Sequence, residues 1–245
     1  GGAPADYIAA WDGTAWSPIG LGVNGPIYAF VLYNGLTIGG NFSLVGGIAA
    51  NSIAAWNGSS WSSYGSGING GVDAFTTYGG KLIAGGQFHI AGGNPAWLVA
   101  AWDENDRTWS SLGGGHYGEY PGLYGNSVYA LTKYEGNLVA GGEFIIAEDV
   151  PVYDIASWNG ESWASVGDGI NPGEYDQIRA LTVYKNRLIA GSIWRGGSLR
   201  SIAAWNGYSW SPLGAGLYGH IYSLVEYGDK LIAAGSFSIV NGDWP

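Results

Sequence analysis

The sequence predicts an all-β protein built from repeated four-stranded units, and three observations predict it. A hairpin motif bounded by two tryptophans occurs five times along the 245 residues. Its leading tryptophans are 45 to 47 residues apart, except for one interval of 56 residues. Three further apolar runs keep step with the motif in every repeat, and a fixed period of this length is the mark of a repeat architecture.

The tryptophan pairs define the last two strands of each repeat. The pairs are Trp11 and Trp16, Trp56 and Trp61, Trp102 and Trp109, Trp158 and Trp163, and Trp205 and Trp210. A short Asx-Gly turn places the two indoles of a pair opposite one another on adjacent strands, where they stabilise the hairpin. Five equivalent sugar-binding sites are the alternative, but only the turn residues Asp12, Asn57, Asp103, Asn159 and Asn206 recur beside the indoles. We therefore expect a structural role for the pairs.

Two apolar runs supply the first two strands of each repeat. Examples are "VDAFTTY" and "LIAGGQF", which are rich in β-branched and aromatic residues and show no helical period. Four strands per unit of about 47 residues is typical of a β-propeller blade. The runs are nearly continuous rather than alternating, so both faces of each sheet should be buried against neighbouring blades.

The five repeats predict a single five-bladed β-propeller domain covering residues 1–245. The chain begins with the third and fourth strands of a repeat and ends after the second strand of another. One blade should therefore be split between the termini, which would remove two exposed sheet edges. The predicted blades cover approximately residues 26–70, 71–122, 123–173, 174–219, and 220–245 joined with 1–25.

The run "YALTKYEGNLVAGGEF" followed by "IASWNGESWASVGDG" resembles the Trp-Asx-Gly-x-x-Trp propeller repeats of secreted bacterial proteins and fungal cortical polarity proteins. It is also similar to kelch repeats, in which an apolar run ends in Gly-Gly and is followed by an aromatic residue and a Trp. The spacing from the glycines to the Trp departs from kelch, and the glycine pair is interrupted at Ser192 and Ala234. The resemblance covers essentially the whole chain, and it implies an architecture rather than an activity.

The composition disfavours some classes of binding partner and favours one cellular location. Nine basic residues against nineteen acidic ones give a net charge of −10, which disfavours nucleic acid and anionic membranes. No apolar run is long enough to span a membrane. Cysteine and methionine are absent, which excludes thiolate and thioether ligands, and we expect no cofactor. Only 11% of residues are charged, and this sparsely charged, aromatic-rich composition favours a secreted or cell-surface protein.

Loop lengths predict where a functional site would lie. The loops between blades and those between second and third strands vary in length, and both sets should open on one face. An irregular inner-strand position would surround the channel mouth on that face with Tyr28, Asp73, Tyr129, Arg179 and Tyr222. A tyrosine face can stack on a sugar ring while its hydroxyl forms a hydrogen bond, so these five are the predicted ligand-binding residues. The alternative is that mouth positions are solvated and vary freely.

Evidence for catalysis or metal binding is weak in the sequence. Asp73, Glu119, Glu174 and Asp176 could face the mouth, where a glycosidase would need a pair of carboxylates. His89, His116 and His220 show no metal-ligand spacing, and Asp103–Arg107 lacks the pattern of a calcium loop, so it should extend a hairpin turn. We expect neither catalytic nor metal-binding residues.

Three functions remain open from the sequence. The favoured one is a non-catalytic extracellular module that binds carbohydrate through the loop-rich face. The second is a structural or adhesive subunit that binds other cell-surface proteins in a layer, filament or larger complex. A glycoside-active enzyme is the third and least favoured.

Overall fold

We describe the protein from a computed structural model, which describes residues 5–114, 121–170, 177–193 and 201–240. Every regular element in these ranges is a β-strand. The chain divides into two compact units, residues 1–112 and 113–245, called unit 1 and unit 2 below. Within the described ranges, no helix is long and apolar enough to cross a membrane.

Unit 1 contains two four-stranded antiparallel sheets and three two-stranded ones. Its strands are β1 (Ala9–Trp11), β2 (Trp16–Pro18), β3 (Ile27–Leu32), β4 (Leu36–Gly40), β5 (Leu44–Val45), β6 (Ile48–Ala49), β7 (Ile53–Trp56), β8 (Trp61–Ser63), β9 (Gly71–Tyr78), β10 (Lys81–Gln87), β11 (Ile90–Ala91), β12 (Asn94–Pro95), β13 (Val99–Asp103) and β14 (Thr108–Ser111). The larger sheets have the orders β3-β4-β7-β8 and β9-β10-β13-β14. The strands β1 and β2 form a separate hairpin.

Unit 2 repeats the same order. Its strands are β15 (Leu123–Tyr134), β16 (Asn137–Ala147), β17 (Val150–Pro151), β18 (Ile155–Trp158), β19 (Trp163–Ser165), β20 (Gln177–Tyr184), β21 (Arg187–Ile193), β22 (Ile202–Trp205), β23 (Trp210–Pro212), β24 (Leu217–Tyr227) and β25 (Lys230–Val240). One sheet has the order β15-β16-β18-β19, with β17 on β16, and another joins β20, β21, β22 and β23. A final hairpin, β24–β25, adds to the second sheet through the pair Ile193–His220.

The structure confirms the predicted β-propeller type of fold, with four blades in the described residues. Four repeats form sheets in which the strands follow each other in chain order and pair antiparallel. Neighbouring sheets in a unit pack through their first strands, as β9 does on β3 and β20 on β15. A fifth blade shared between the termini stays a prediction, because within the described residues β1 pairs with β2 and β25 with β24.

Glycines on the second strands let these sheets approach closely. A Cβ atom placed on Gly39 would lie 2.6 Å from the Phe75 ring of the next sheet. In unit 2, a Cβ atom on Gly141 or Gly191 would lie 2.6 Å from the isoleucine on the following first strand. These glycines are in ordinary strand conformation, so their small size is required by packing rather than by backbone angles.

The tryptophan pairs are cross-strand pairs, as predicted. Trp56 is in register with Trp61, and their ring centroids are 5.2 Å apart. Asn57 Oδ1 accepts the backbone N–H groups of Ser59 and Ser60, which fixes the turn between them. The same register holds in all five copies. The segment Asp103–Arg107 extends one such hairpin, because Asp103 pairs with Thr108 across the turn.

The second tryptophan of a pair also joins its sheet to the preceding repeat. Trp61 Nε1 donates to the carbonyl of Ile19, Trp109 Nε1 to Tyr64, and Trp210 Nε1 to Val166. The three acceptors occupy equivalent positions just after a fourth strand. Each indole therefore satisfies its buried N–H while crossing between sheets.

Tyrosines at the ends of first strands make the corresponding contact with the following repeat. The hydroxyl of Tyr33 donates to the carbonyl of Gly80, that of Tyr134 to Asn186, and that of Tyr184 to Asp229. Each acceptor is the third residue of the same tight turn in the next sheet. The tryptophan of a repeat thus bonds to the preceding repeat, and the tyrosine bonds to the following one.

Candidate ligand-binding site

A cavity with a largely apolar wall lies in unit 2, beside the long β15–β16 hairpin. Its volume is about 530 Å³. It lies beside the loop between second and third strands, which is one of the two loop sets that the sequence predicted to carry function. Its wall includes Tyr124, Glu143, Ile145, Pro151, Tyr153 and Asp154.

The loop that forms one wall is held by its own backbone. Asp154 donates its N–H to the Phe144 carbonyl, and its Oδ1 accepts the Phe144 N–H at 3.2 Å. Val152 N–H donates to the Ile145 carbonyl. Tyr153 and Asp154 both have positive φ, of 41° and 69°, which turns the chain back along β16. These bonds fix the position of the Tyr153 backbone at the cavity.

Hydrogen bonds to the Glu148 carboxylate hold the other end of the same loop. One carboxylate oxygen accepts the N–H of Gly114 at 2.5 Å, and the other accepts the N–H of Trp163 at 3.0 Å. Glu148 and Asp149 also have positive φ. Glu148 thus connects the loop to two distant backbone positions of unit 2, one 34 residues before it and the other 15 residues after it.

A chain of polar side chains extends from the cavity wall to the predicted rim. Glu143 Oε1 accepts the amide N–H of Asn126 at 2.7 Å, and Oε2 accepts that of Gln177 at 2.6 Å. The Gln177 oxygen in turn accepts Nε and Nη2 of Arg179, at 3.1 and 2.5 Å. The Arg179 guanidinium lies 3.6 Å from the centroid of the Tyr129 ring. Both oxygens of Glu143 are therefore positioned by amides, while Arg179 is held between an amide and an aromatic face.

The five predicted rim residues are distributed over the two units. Tyr129 and Arg179 come together in unit 2 as a cation–π pair. Tyr222 is half exposed in unit 2, and its ring centroid lies 6.4 Å from that of His220. In unit 1, Tyr28 is half exposed and Asp73 is partly buried. A single rim formed by all five stays a prediction.

The other residues singled out in the sequence fall partly outside the described ranges. Glu119, Glu174, Asp176 and His116 belong to that group, so the structure leaves a carboxylate pair untested. His89 stacks on Trp97, with ring centroids 4.0 Å apart. Over the part of the chain that the structure describes, no group of three or more His, Cys, Asp or Glu is placed to hold a metal ion.

The cavity and Glu143 were not predicted from the sequence. A weak signal was present, because the residue after the glycine pair differs in every repeat. It is Asn41, Gln87, Glu143, Ile193 or Ser236. The longer loop "EFIIAEDVPVYD" was recognised as variable, but its pattern does not indicate which side chains face a cavity.

Comparisons with known proteins support the fold alone. No family model and no curated protein matches the chain. Among solved structures, the chain is similar to the computationally designed protein Ika8, with 15% identity, a TM-score of 0.52, and coverage of 87% of this chain and 57% of that one. It is also similar to the extracellular domain of BT4673 from B. thetaiotaomicron, with 9% identity, a TM-score of 0.54, and coverage of 92% and 34%. The chain thus spans little more than half of the first structure and about a third of the second.

Proposed function

We propose that the protein is a non-catalytic extracellular binding module and that carbohydrate binds in the cavity beside Glu143. The observation that carries the proposal is the combination of a cavity of about 530 Å³, two tyrosines in its wall, and a carboxylate held by two amides. Concave sites of this size with few fixed polar groups are typical of small-ligand binding.

The chemistry of the wall suits a sugar. The rings of Tyr124 and Tyr153 are partly exposed at the cavity, and an aromatic face packs on the apolar C–H face of a pyranose. Each oxygen of Glu143 accepts one amide hydrogen and, with two lone pairs, can accept another from a ligand hydroxyl. Because the amides already fix this carboxylate, less conformational freedom would be lost on binding.

The extracellular location is part of the proposal. The low content of charged residues and the high content of aromatic residues are compatible with it. One similar solved structure is an extracellular domain, but at 9% identity that similarity bears on the fold and not on the location.

We also propose that the two terminal hairpins complete a fifth blade. In each complete sheet the second strand pairs with the third in one register, as in Leu36–Trp56 and Leu82–Trp102. The same rule would pair β25 with β1, with Leu231 opposite Trp11.

A structural or adhesive subunit is the second candidate. Unit 1 exposes more than half of Trp11, Trp16, Phe30 and Leu32, and such apolar groups often mark an interaction surface. The two candidates make different predictions for self-association, since the adhesive role needs contacts between chains.

Binding of oligosaccharides measured by calorimetry tests the carbohydrate proposal. A glycan array first identifies the ligand, and Tyr124→Ala should then weaken its binding by roughly ten-fold or more through loss of the stacked ring. The control is Tyr208→Ala, which removes a tyrosine that is 91% exposed in a hairpin turn and should leave affinity unchanged. Chromatography of the incubated glycan should show no cleavage. Absence of binding to any glycan by folded protein, or equal effects of the two substitutions, would refute the proposal.

A further inference from the structure

The charge of the cavity wall restricts the ligand further. Glu143 contributes a carboxylate, and none of the described residues that line the cavity is Lys or Arg. Asp154 is buried and accepts the N–H of Phe144, so Glu143 is the acidic group considered for a ligand. An acidic ligand would therefore meet the Glu143 carboxylate with no described Lys or Arg side chain in the wall to offset its charge.

Arg179 is the cation connected to the cavity by the polar chain, but Gln177 lies between it and Glu143. Two of its nitrogens donate to the Gln177 oxygen, and its planar group covers the Tyr129 ring. The Gln177 amide stands between Arg179 and Glu143, so that the carboxylate is bonded by neutral amides rather than by the guanidinium. The acceptor strength of Glu143 is thus retained for a ligand.

An ammonium group matches these surroundings. It carries three donors, and Glu143 offers a further lone pair on each oxygen. A hydrogen bond between charged groups is stronger than one between neutral groups. The partly exposed rings of Tyr124 and Tyr153 favour a nearby cation through their π faces, in addition to packing on a sugar ring.

We infer that the cavity binds a sugar with a free amino group, with the ammonium at Glu143 and the pyranose ring against the tyrosines. This inference rests on the proposed carbohydrate function and names its ligand class. It assigns Glu143 as the residue that distinguishes amino sugars from their N-acetylated forms, because acetylation removes the charge and two of the three donors.

Calorimetry with three matched oligosaccharides tests the inference. The probes are β-1,4-linked glucosamine oligomers, their N-acetylated counterparts, and galacturonic acid oligomers of the same length. We expect glucosamine oligomers to bind at least about ten-fold tighter than the acetylated ones, and galacturonic acid oligomers to bind weakest. Glu143→Gln should weaken binding of the glucosamine oligomer more than binding of the acetylated oligomer and so remove the preference for the free amine. The matched control, Glu161→Gln in an exposed turn, should preserve the preference.

The outcomes separate this inference from the proposal on which it rests. Equal or tighter binding of the acetylated or acidic oligomers would overturn the amino-sugar assignment while leaving carbohydrate binding in place. Failure of every glycan to bind would overturn the proposed function itself. A lysine-containing peptide that binds as tightly as the glucosamine oligomer would also overturn the assignment, because recognition would then not require the sugar ring.

Discussion

Hydrogen bonds from aromatic side chains to the backbone of a neighbouring sheet recur at equivalent residues. In unit 1, Trp109 is 3% exposed and donates to the Tyr64 carbonyl at 3.1 Å, while the Tyr64 ring packs edge-on against Trp102 at 5.2 Å. The Tyr64 hydroxyl also shares a hydrogen bond with Thr37 at 2.7 Å. Tyr64 therefore connects two successive sheets through its ring, its hydroxyl and its carbonyl.

Trp109→Phe should destabilise the protein, because it removes the indole hydrogen bond to the Tyr64 carbonyl, which then keeps the one from Gly67 N–H, and because it leaves a gap beside the ring. We expect the free energy of unfolding to fall by about 3 kcal/mol. Urea denaturation followed by circular dichroism measures it. Tyr208→Phe, in an exposed turn, is the control and should change stability by less than about 0.5 kcal/mol. Similar values for both variants would contradict the role given to the indole.

Tyr64→Phe should change how stability depends on alkaline pH. Burial raises the pKa of Tyr64 to about 12, whereas a tyrosine in the unfolded chain titrates near 10. Between pH 10 and 12 the unfolded state therefore loses a proton that the folded state keeps, and stability falls as the pH rises. Phenylalanine removes this contribution, although the raised pKa values of Tyr33 and Tyr134 leave some slope. Unfolding measured across this pH range should show a shallower decline, and an unchanged slope would contradict the assignment.

At the scale of elements, sheet packing depends on strands that lack side chains at the contact. Gly39 on β4 faces the Phe75 ring and Val72 on β9, and the space between them excludes even a methyl group. Gly71 on β9 differs, because its nearest neighbour in that direction is the Tyr28 ring at 3.9 Å. Neither glycine has a positive φ.

A comparison of Gly39→Ala with Gly71→Ala should therefore separate the effect of sheet packing on stability from the effect of replacing a glycine within a strand. The first substitution forces β9 away from β4, and we expect a loss of about 2 kcal/mol in the free energy of unfolding. The second should be tolerated within about 0.5 kcal/mol. Thermal and urea unfolding of the two variants provide the measurement. Equal tolerance would show that the sheets in unit 1 are not in the close contact described.

The sequence predicted the sheets and hairpins well because their determinants are local. A tryptophan, a short Asx-Gly turn and a second tryptophan fix the hairpin register within a few residues. The bond between Glu143 and Gln177 joins strands of different sheets, 34 residues apart. Each is an ordinary polar residue in its own strand, and only tertiary packing brings them together. Pattern and period therefore predict the blades, but not the side chains that meet at the candidate site.

At the scale of the whole molecule, the proposal of a fifth blade concerns the free edges of β1 and β25. If β25 pairs with β1 in the register of the other sheets, Ala10 would lie opposite Ile232 and Ala9 opposite Ala233. Positions in an antiparallel pair alternate between two geometries, and the Cα spacing of both lies within the range that a disulfide spans, so both pairs would be tested. The chain has no native cysteine, so introduced cysteines can pair only with each other.

Double cysteine variants at these two pairs should give an intramolecular disulfide in at least one case, seen as a reversible change in mobility on a non-reducing gel. Ala10→Cys with Tyr227→Cys is the control, because that pair is five residues out of register and should not cross-link. Cross-linking between chains would instead support the adhesive subunit. No cross-link at either pair would contradict a blade completed by the termini.

The central functional claim is that carbohydrate binds in the irregular cavity of unit 2 and not on the repeated tryptophan hairpins. A crystal structure with the tightest-binding oligosaccharide tests it most directly. We expect a sugar ring against Tyr124 with a polar group at the Glu143 carboxylate. A sugar bound at the tryptophan hairpins, or at Tyr28 in unit 1, with the cavity empty would contradict it.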